Sequence, residues 1–149
     1  MSTQPLHGLR VVELCEGIAG PWAGRLLAGY GADVIKVEPP DGDRSRAMGP
    51  FPSDGPNPET GALHLHLNTG KRSVIGSVGD ELIDRLIGGA DIVLQSSAFI
   101  NPEDIEQNHP GLVLVTVTSF GLLGRYSWCK GEEIVHYAMG GPMSASGEA

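Results

Sequence analysis

The sequence predicts an α/β domain built on a mostly parallel sheet with helices on both faces. Short runs rich in β-branched residues alternate with helical patterns, and most of these runs are apolar along their whole length. Turns rich in Gly and Pro separate them. At 149 residues the chain has the length of one domain, so we expect a single core in a domain that covers residues 1–149.

The clearest pattern is a βαβ unit near the N-terminus. Residues 9–15 predict a buried strand, and Pro21 stands where the first residue of a helix is expected. Gly31 is placed to end that helix, and residues 33–37 predict a second strand. Four residues at helical spacing predict one apolar face of this helix: Trp22, Leu26, Leu27 and Tyr30.

The remaining elements continue the alternation. Residues 73–75, 90–95 and 112–118 predict strands, while a helix is expected from about residue 79 to 88 and another over 102–108. Residues 62–67 fit either a strand or one or two helical turns. On a strand, His64 and His66 would share a face as a possible metal pair, but no third ligand is nearby, so no metal site is predicted.

A long irregular segment, residues 39–61, contains Arg44 and Arg46 in a chain that is short of positive charge. Loops of this length in compact domains are usually functional or disordered. The two arginines could form a clamp for an anionic group. They could equally pair with Asp41 and Asp43 in a solvated loop.

Composition excludes several classes of partner. The formal net charge of −8 argues against nucleic acid, because phosphate binding needs a basic face. The two cysteines form no disulfide framework, which favours a reducing, cytoplasmic setting. No apolar run is long enough to span a bilayer and no signal peptide is recognised, so no membrane partner is expected.

Three glycines after the first strand, Gly17, Gly20 and Gly24, suggest a dinucleotide site. Glu38 follows at about the distance where such sites place the acid that binds a ribose. The spacing G-x-x-G-x-x-x-G differs from the fingerprint, however, and Pro21 removes an N–H that could face a pyrophosphate. Binding of NAD is therefore the third hypothesis.

A more specific pattern runs through the chain from about Leu6. Its motifs are residues 9–14, Ile18-Ala19-Gly20-Pro21, residues 26–38, Gly42-Asp43-x-x-Arg46, Asn68-x-x-Lys71-Arg72-Ser73, residues 90–93 and residues 119–126. In this order they resemble the opening of the class III CoA-transferases, also called CaiB/BaiF, a family that includes α-methylacyl-CoA racemases.

The resemblance implies a Rossmann-like large domain, of which this chain would be the N-terminal part, and a CoA thioester as substrate. It also implies a homodimer, or a second CoA-transferase polypeptide as partner. The cofactor-binding residues it indicates are Gly17, Ile18, Ala19, Lys36, Arg46, Lys71 and Arg72. In the transferase branch a carboxylate attacks the acyl-CoA, which is covalent catalysis. In this chain Glu133 holds the acidic position of the family's active-site helix start.

The sequence also departs from that family. Glu132 replaces the racemase histidine, and after Glu133 the only acid is Glu148, so no candidate for the transferase nucleophile is found. Glu133 could also be a favourable charge at a helix N-terminus. Ser96-Ser97-Ala98-Phe99 replaces an element that contacts CoA in relatives. We therefore carry two further hypotheses: part of a CoA-transferase acting on CoA thioesters, or a non-catalytic subunit or scaffold.

Overall fold

The computed structural model describes residues 4–53, 55–96 and 100–147. The chain forms two compact units, Met1–Val117 and Thr118–Ala149, and each is described by itself. The first contains β1 (Arg10–Leu14), α1 (Ala19–Gly29), β2 (Asp33–Glu38), a 3-10 helix (Arg44–Ala47), α2 (Ala62–Asn68), β3 (Arg72–Ile75), α3 (Glu81–Gly88), β4 (Ile92–Gln95), α4 (Pro102–Asn108) and β5 (Val113–Thr116).

The strands form one sheet in the order β3-β2-β1-β4-β5, and every pairing is parallel. The parallel α/β sheet expected from the sequence is therefore confirmed. The connections from β1 lead outward to β2 and β3, and the chain then crosses back to place β4 on the other side of β1. Open sheets of this kind bind ligands at such a reversal, beyond the carboxyl ends of the strands.

Both faces of the sheet are covered. Successive side chains of a strand point to opposite faces, so Val12 and Leu14 of β1 pack with Ile83 and Ile87 of α3. On the other face, Val11, Cys15, Val34 and Leu94 form a second cluster against which Ala23, Leu27 and Ala28 of α1 pack. Helices on both faces are what the sequence predicted.

The contact between α1 and the sheet is made by its small residues. Gly20, Pro21 and Gly24 are buried, whereas Trp22, Leu26 and Tyr30 of the predicted apolar face are 42%, 45% and 57% exposed. A Cβ on Gly20 would lie 2.2 Å from Cys15 Cβ. The helix lies too close to β1 for larger side chains, so of the predicted face Leu27 alone packs against the core.

One local prediction needs correction, and one open alternative is decided in favour of a helix. The helix α1 begins at Ala19, not at Pro21, and proline is tolerated there because first-turn N–H groups have no intrahelical acceptor. Residues 62–67 belong to the helix α2, so His64 and His66 do not share a face. Within the described residues no group of three or more His, Cys, Asp or Glu side chains could hold a metal ion.

The second unit contains α5 (Glu133–Met139) and a 3-10 helix, Pro142–Ala145. The ring of Phe120 lies 6.2 Å from that of Tyr126 and 5.1 Å from that of His136, between centroids. None of the helices that the structure describes is long and apolar enough to cross a membrane.

Candidate functional site

A cleft of about 370 Å³ opens beyond the carboxyl ends of β1, β2 and β3. Its lining residues are Leu14, Glu16, Val37, Pro39, Gly76, Ser77 and Val78. Pockets of roughly 300–1,000 Å³ with mainly apolar walls and a few polar groups are typical of small-molecule sites. The position is also the one where parallel sheets bind ligands. We take this cleft, the strand-end cleft, as the candidate binding site.

The turn between β1 and α1 borders the strand-end cleft and carries three predicted site residues. Gly17 is buried with a φ of +80°, while Ile18 and Ala19 are exposed. The positive φ favours glycine at this position, whereas the atom nearest to an added Cβ is Nη2 of the flexible, exposed Arg44 side chain, which can move away. The Glu16 amide donates to Ser96 Oγ at 3.2 Å, which joins the loops after β1 and β4. The next three residues, Ser97, Ala98 and Phe99, lie outside the described part of the chain.

A buried chain of charges lies beneath this turn. Glu13 and Lys36 are register partners on β1 and β2, and their side chains are 0% and 2% exposed. Glu13 Oε1 lies 3.1 Å from Lys36 Nζ, and Glu13 Oε2 lies 2.7 Å from Lys71 Nζ. Asp43 Oδ2 lies 2.7 Å from Lys36 Nζ. The two groups form an ion pair, but their geometry is not that of a hydrogen bond.

Both lysines also donate to the backbone of the turn. Lys36 Nζ donates to the carbonyl of Cys15 at 2.7 Å, and Lys71 Nζ donates to that of Pro21 at 2.8 Å. Burial lowers the pKa of Lys36, but Glu13 and Asp43 more than offset this and hold it above its ordinary value. For Lys71 burial outweighs the effect of Glu13, so its pKa is lowered.

Four of the predicted CoA-binding residues line one cavity of about 390 Å³, the polar cavity: Lys36, Arg46, Lys71 and Arg72. The structure brings these cations together, but each is already paired with a carboxylate. Arg46 binds both oxygens of Glu38, at 2.7 and 3.0 Å, and also contacts Glu59 at 3.0 Å. Arg72 forms a two-pronged contact with Asp33. Their binding of CoA stays a prediction.

Glu38 is occupied in the same way. It is 3% exposed and accepts hydrogen bonds from Arg46, from Ser73 Oγ at 2.6 Å and from the Asp43 amide at 3.2 Å. Burial raises its pKa, but these donors more than offset that effect and lower the pKa to about 2. The Glu38 carboxylate is therefore already hydrogen-bonded to groups of the protein and is not free to bind a ribose. This weakens the NAD hypothesis. Arg46 pairs with Glu38 and Glu59, not with Asp41 or Asp43 as the loop alone suggested.

A buried Ser–His contact supports the 3-10 helix that follows β2. Ser45 Oγ lies 2.9 Å from His64 Nδ1, and the Ser45 amide donates to Asp43 Oδ1 at 2.7 Å. Burial and the positive charge of Arg46 lower the pKa of His64. Burial also raises the pKa of the Cys15 thiol to about 12. The neutral forms of these two groups are therefore favoured in the folded protein.

Glu133 is exposed at the first residue of α5, in the second unit. The predicted helix start at this position is confirmed. An acid in the first turn is favoured by the helix dipole whether or not it has a further role. Its catalytic role stays a prediction, and Glu148 lies outside the described residues.

The comparisons with known proteins agree with this architecture. The family model described as CoA-transferase family III matches residues 6–149. The chain belongs to CoA-transferase family III. A crystal structure of a CaiB/BaiF family protein from Brucella suis superposes with a TM-score of 0.86 at 35% identity, covering 99% of this chain and 42% of that one.

Two curated members of CoA-transferase family III show the same coverage. A succinate–glutarate CoA-transferase of Agrobacterium fabrum is 38% identical over 158 residues, and a succinyl-CoA:mesaconate CoA-transferase of Haloarcula marismortui is 31% identical over 163. Each match covers 97% of this chain and 40% of the relative. The chain therefore spans about two fifths of the length of these CoA-transferases.

Sequence reasoning missed Glu13, which organises the buried charges. A signal was available, because Glu13 and Lys36 are the charged residues in the middle of two apolar strands that were predicted to be consecutive. An acid and a base at such positions are costly to bury unless they pair. An ion pair between Glu13 and Lys36 could therefore have been predicted from the sequence, and it would have indicated a structural role for Lys36.

Proposed function

We propose that this chain forms the CoA-thioester-binding part of an acyl-CoA:carboxylate CoA-transferase. The observation that carries the proposal is the strand-end cleft, which lies at the ligand-binding end of the sheet in a member of this family. Relatives named as CoA-transferases that use succinyl-CoA or transfer CoA between dicarboxylates support the substrate class.

The charges of the cleft indicate which part of CoA it would hold. Among its described lining residues Glu16 is an acid and the others are uncharged. The phosphates of CoA would be repelled by Glu16, so the cleft suits an uncharged part of the molecule, the pantetheine arm or the adenine ring. Ile18 and Ala19, exposed on the adjacent turn, would contact that part directly.

Glu133, at the acidic position of the family's active-site helix start, remains the proposed catalytic residue of this chain. In the transferase reaction another carboxylate would attack the acyl-CoA and form an acyl anhydride as the CoA thiolate leaves; return of that thiolate would release the carboxylic acid and leave an enzyme-bound CoA thioester. Because this sequence offers no candidate for that nucleophile, Glu133 is proposed to act beside it. Backbone N–H groups would stabilise the oxyanion that develops at the carbonyl.

Titration calorimetry of the 149-residue chain with acetyl-CoA tests binding. We expect a Kd in the micromolar range, of the order of −8 kcal/mol, and no heat with NAD. Val78→Trp should fill the cleft and abolish binding, because Val78 is 40% exposed on its wall. Val115→Trp, on β5 at the same 40% exposure, is the matched control and should bind normally.

A second candidate, a non-catalytic subunit or scaffold, is favoured by one sequence observation: Ser96-Ser97-Ala98-Phe99 replaces an element that contacts CoA in relatives. The same titration separates the two. Absence of heat with acetyl-CoA up to millimolar concentration would contradict the proposal and favour the scaffold. Heat with NAD alone would revive the dinucleotide hypothesis.

We also propose that a second copy, or a second CoA-transferase polypeptide, covers the outer face of α1. Four apolar residues at successive helical turns are exposed there: Ile18, Trp22, Leu26 and Tyr30. Such i, i+4 rows form the ridges through which helices pack on one another.

A further inference from the structure

The β1–α1 turn, defined here as residues 15–21 and so including the first three residues of α1, is held in place by the buried charges. We propose that Glu13, Lys36 and Lys71 are positioning residues for the CoA thioester: they fix the backbone of this turn and do not contact CoA themselves. The inference rests on the proposed function and changes the role that the sequence suggested for the two lysines.

The first argument is the number of donors. A lysine ammonium has three N–H donors. Three oxygens lie within 3.1 Å of Lys36 Nζ, from Glu13, the Cys15 carbonyl and Asp43. Three lie within 2.9 Å of Lys71 Nζ, from Glu13, the Pro21 carbonyl and Asn68. All three donors of Lys71 therefore have acceptors inside the protein, while Lys36 makes two hydrogen bonds and one close ion pair.

The second argument is where those acceptors lie. The carbonyls of Cys15 and Pro21 mark the two ends of this segment. Gly17, Ile18 and Ala19 lie between them and directly follow Glu16, which lines the strand-end cleft. One carboxylate, Glu13, binds both lysines through its two oxygens. The two ends of the turn are therefore fixed relative to each other through a single buried group.

The third argument is burial. The side chains of Glu13, Lys36 and Lys71 are 0%, 2% and 1% exposed. A Cβ on Gly24 would lie 1.9 Å from Glu13 Oε2, so α1 can pass over the carboxylate because this residue is glycine. Both lysines line the polar cavity, but with at most 2% of each side chain exposed, a CoA phosphate could contact the ammonium groups only if the surrounding side chains moved.

Lys71→Met tests the inference with little risk to folding, because Glu13 keeps Lys36 as a partner at 3.1 Å. The control is Arg85→Met, which removes an exposed cation of α3 that lines neither the polar cavity nor the strand-end cleft. Two measurements are made on the 149-residue chain: the Kd for acetyl-CoA, and hydrogen exchange of residues 16–22 without ligand.

For Lys71→Met we expect affinity to fall about tenfold and exchange of the turn to accelerate by a similar factor, the size of one lost hydrogen bond to a charged group. Trp22 is a suitable reporter, since its amide donates to the Ile18 carbonyl at 2.8 Å. Arg85→Met should change both quantities less than about twofold, because an exposed cation contributes little. The loss of affinity should be equal at roughly 50 and 500 mM salt, because the removed group does not face the ligand's charges.

A loss of affinity that disappears at high salt, with unchanged exchange, would show direct phosphate binding and overturn the inference. The inference would also be overturned if Lys71→Met bound acetyl-CoA with the same Kd as the wild-type protein. Absence of wild-type binding would instead overturn the proposed function, while exchange of the turn still reports whether the charges hold it. If Lys71→Met does not fold, Glu13→Gln, which keeps the side-chain length and removes the shared charge, is expected to give the same two changes.

Discussion

The close approach of α1 to β1 can be tested by one methyl group. In Gly20→Ala the new Cβ would lie 2.2 Å from Cys15 Cβ and 2.3 Å from Cys15 Sγ. Carbon atoms in contact prefer about 3.5–4.0 Å, so the two elements must separate by more than about 1 Å. The Cβ of Cys15 is fixed by its own backbone, and rotation of the cysteine side chain cannot relieve the contact.

The magnitude follows from packing. Inserting one methylene equivalent into a well-packed interior costs about 1–3 kcal/mol. Replacing glycine by alanine in a helix interior stabilises the helix by at most about 1 kcal/mol. Gly20 lies in the first turn of α1, so the gain there is smaller. We therefore expect the free energy of unfolding to fall by about 2 kcal/mol.

Urea unfolding followed by far-UV circular dichroism measures this difference. Gly29→Ala is the matched control in the same helix, because a Cβ there meets nothing within 4 Å; it should leave stability unchanged or raise it by up to about 1 kcal/mol. The reasoning would be refuted by a Gly20→Ala protein as stable as wild type. In a Cys15→Gly background Gly20→Ala should cost less than it does in wild type, since the atoms that the new methyl meets are gone.

Two further predictions concern charge and assembly. Because the pKa of Glu38 is about 2 in the folded protein and ordinarily 4.5, its stabilising effect is complete above pH 4.5 and is lost as the pH falls toward 2. It amounts to about 3 kcal/mol, so thermal unfolding of Glu38→Gln should depend less on pH over this range than that of wild type, and parallel curves would contradict it. Multi-angle light scattering should show wild-type self-association that Leu26→Gln weakens and Leu82→Gln, at similar exposure on α3, does not; a wild-type monomer at all concentrations would count against the homodimer.

Local pattern was sufficient where an element's own residues decide its form. The helix predicted over 102–108 is observed as α4 at Pro102–Asn108, where Asn101 accepts from the Glu103 amide as N-cap and Pro102 is the first residue. The continuous apolar runs predicted parallel strands for the same reason, since burial on both faces leaves no alternation.

Local pattern was insufficient where several elements compete for the same space. Trp22, Leu26 and Tyr30 have the spacing of a core-facing side, yet the small face of α1 packs on the sheet because Gly20 and Gly24 allow a closer approach. The spacing of apolar residues in the sequence indicates which of them share a face of the helix. It does not indicate how closely the neighbouring strand approaches that helix.

The sequence by itself determined the alternation of strands and helices, the parallel sheet and, through its motifs, the family. Only the tertiary structure decided which groups the charged motif residues contact. Lys71 lies 58 residues after Glu13 in the chain and meets it at 2.7 Å, and that contact depends on strand order, on register and on the glycines of α1. A lysine in a motif is equally suited to a phosphate or to a carboxylate, and only the fold shows that a buried carboxylate lies beside this one.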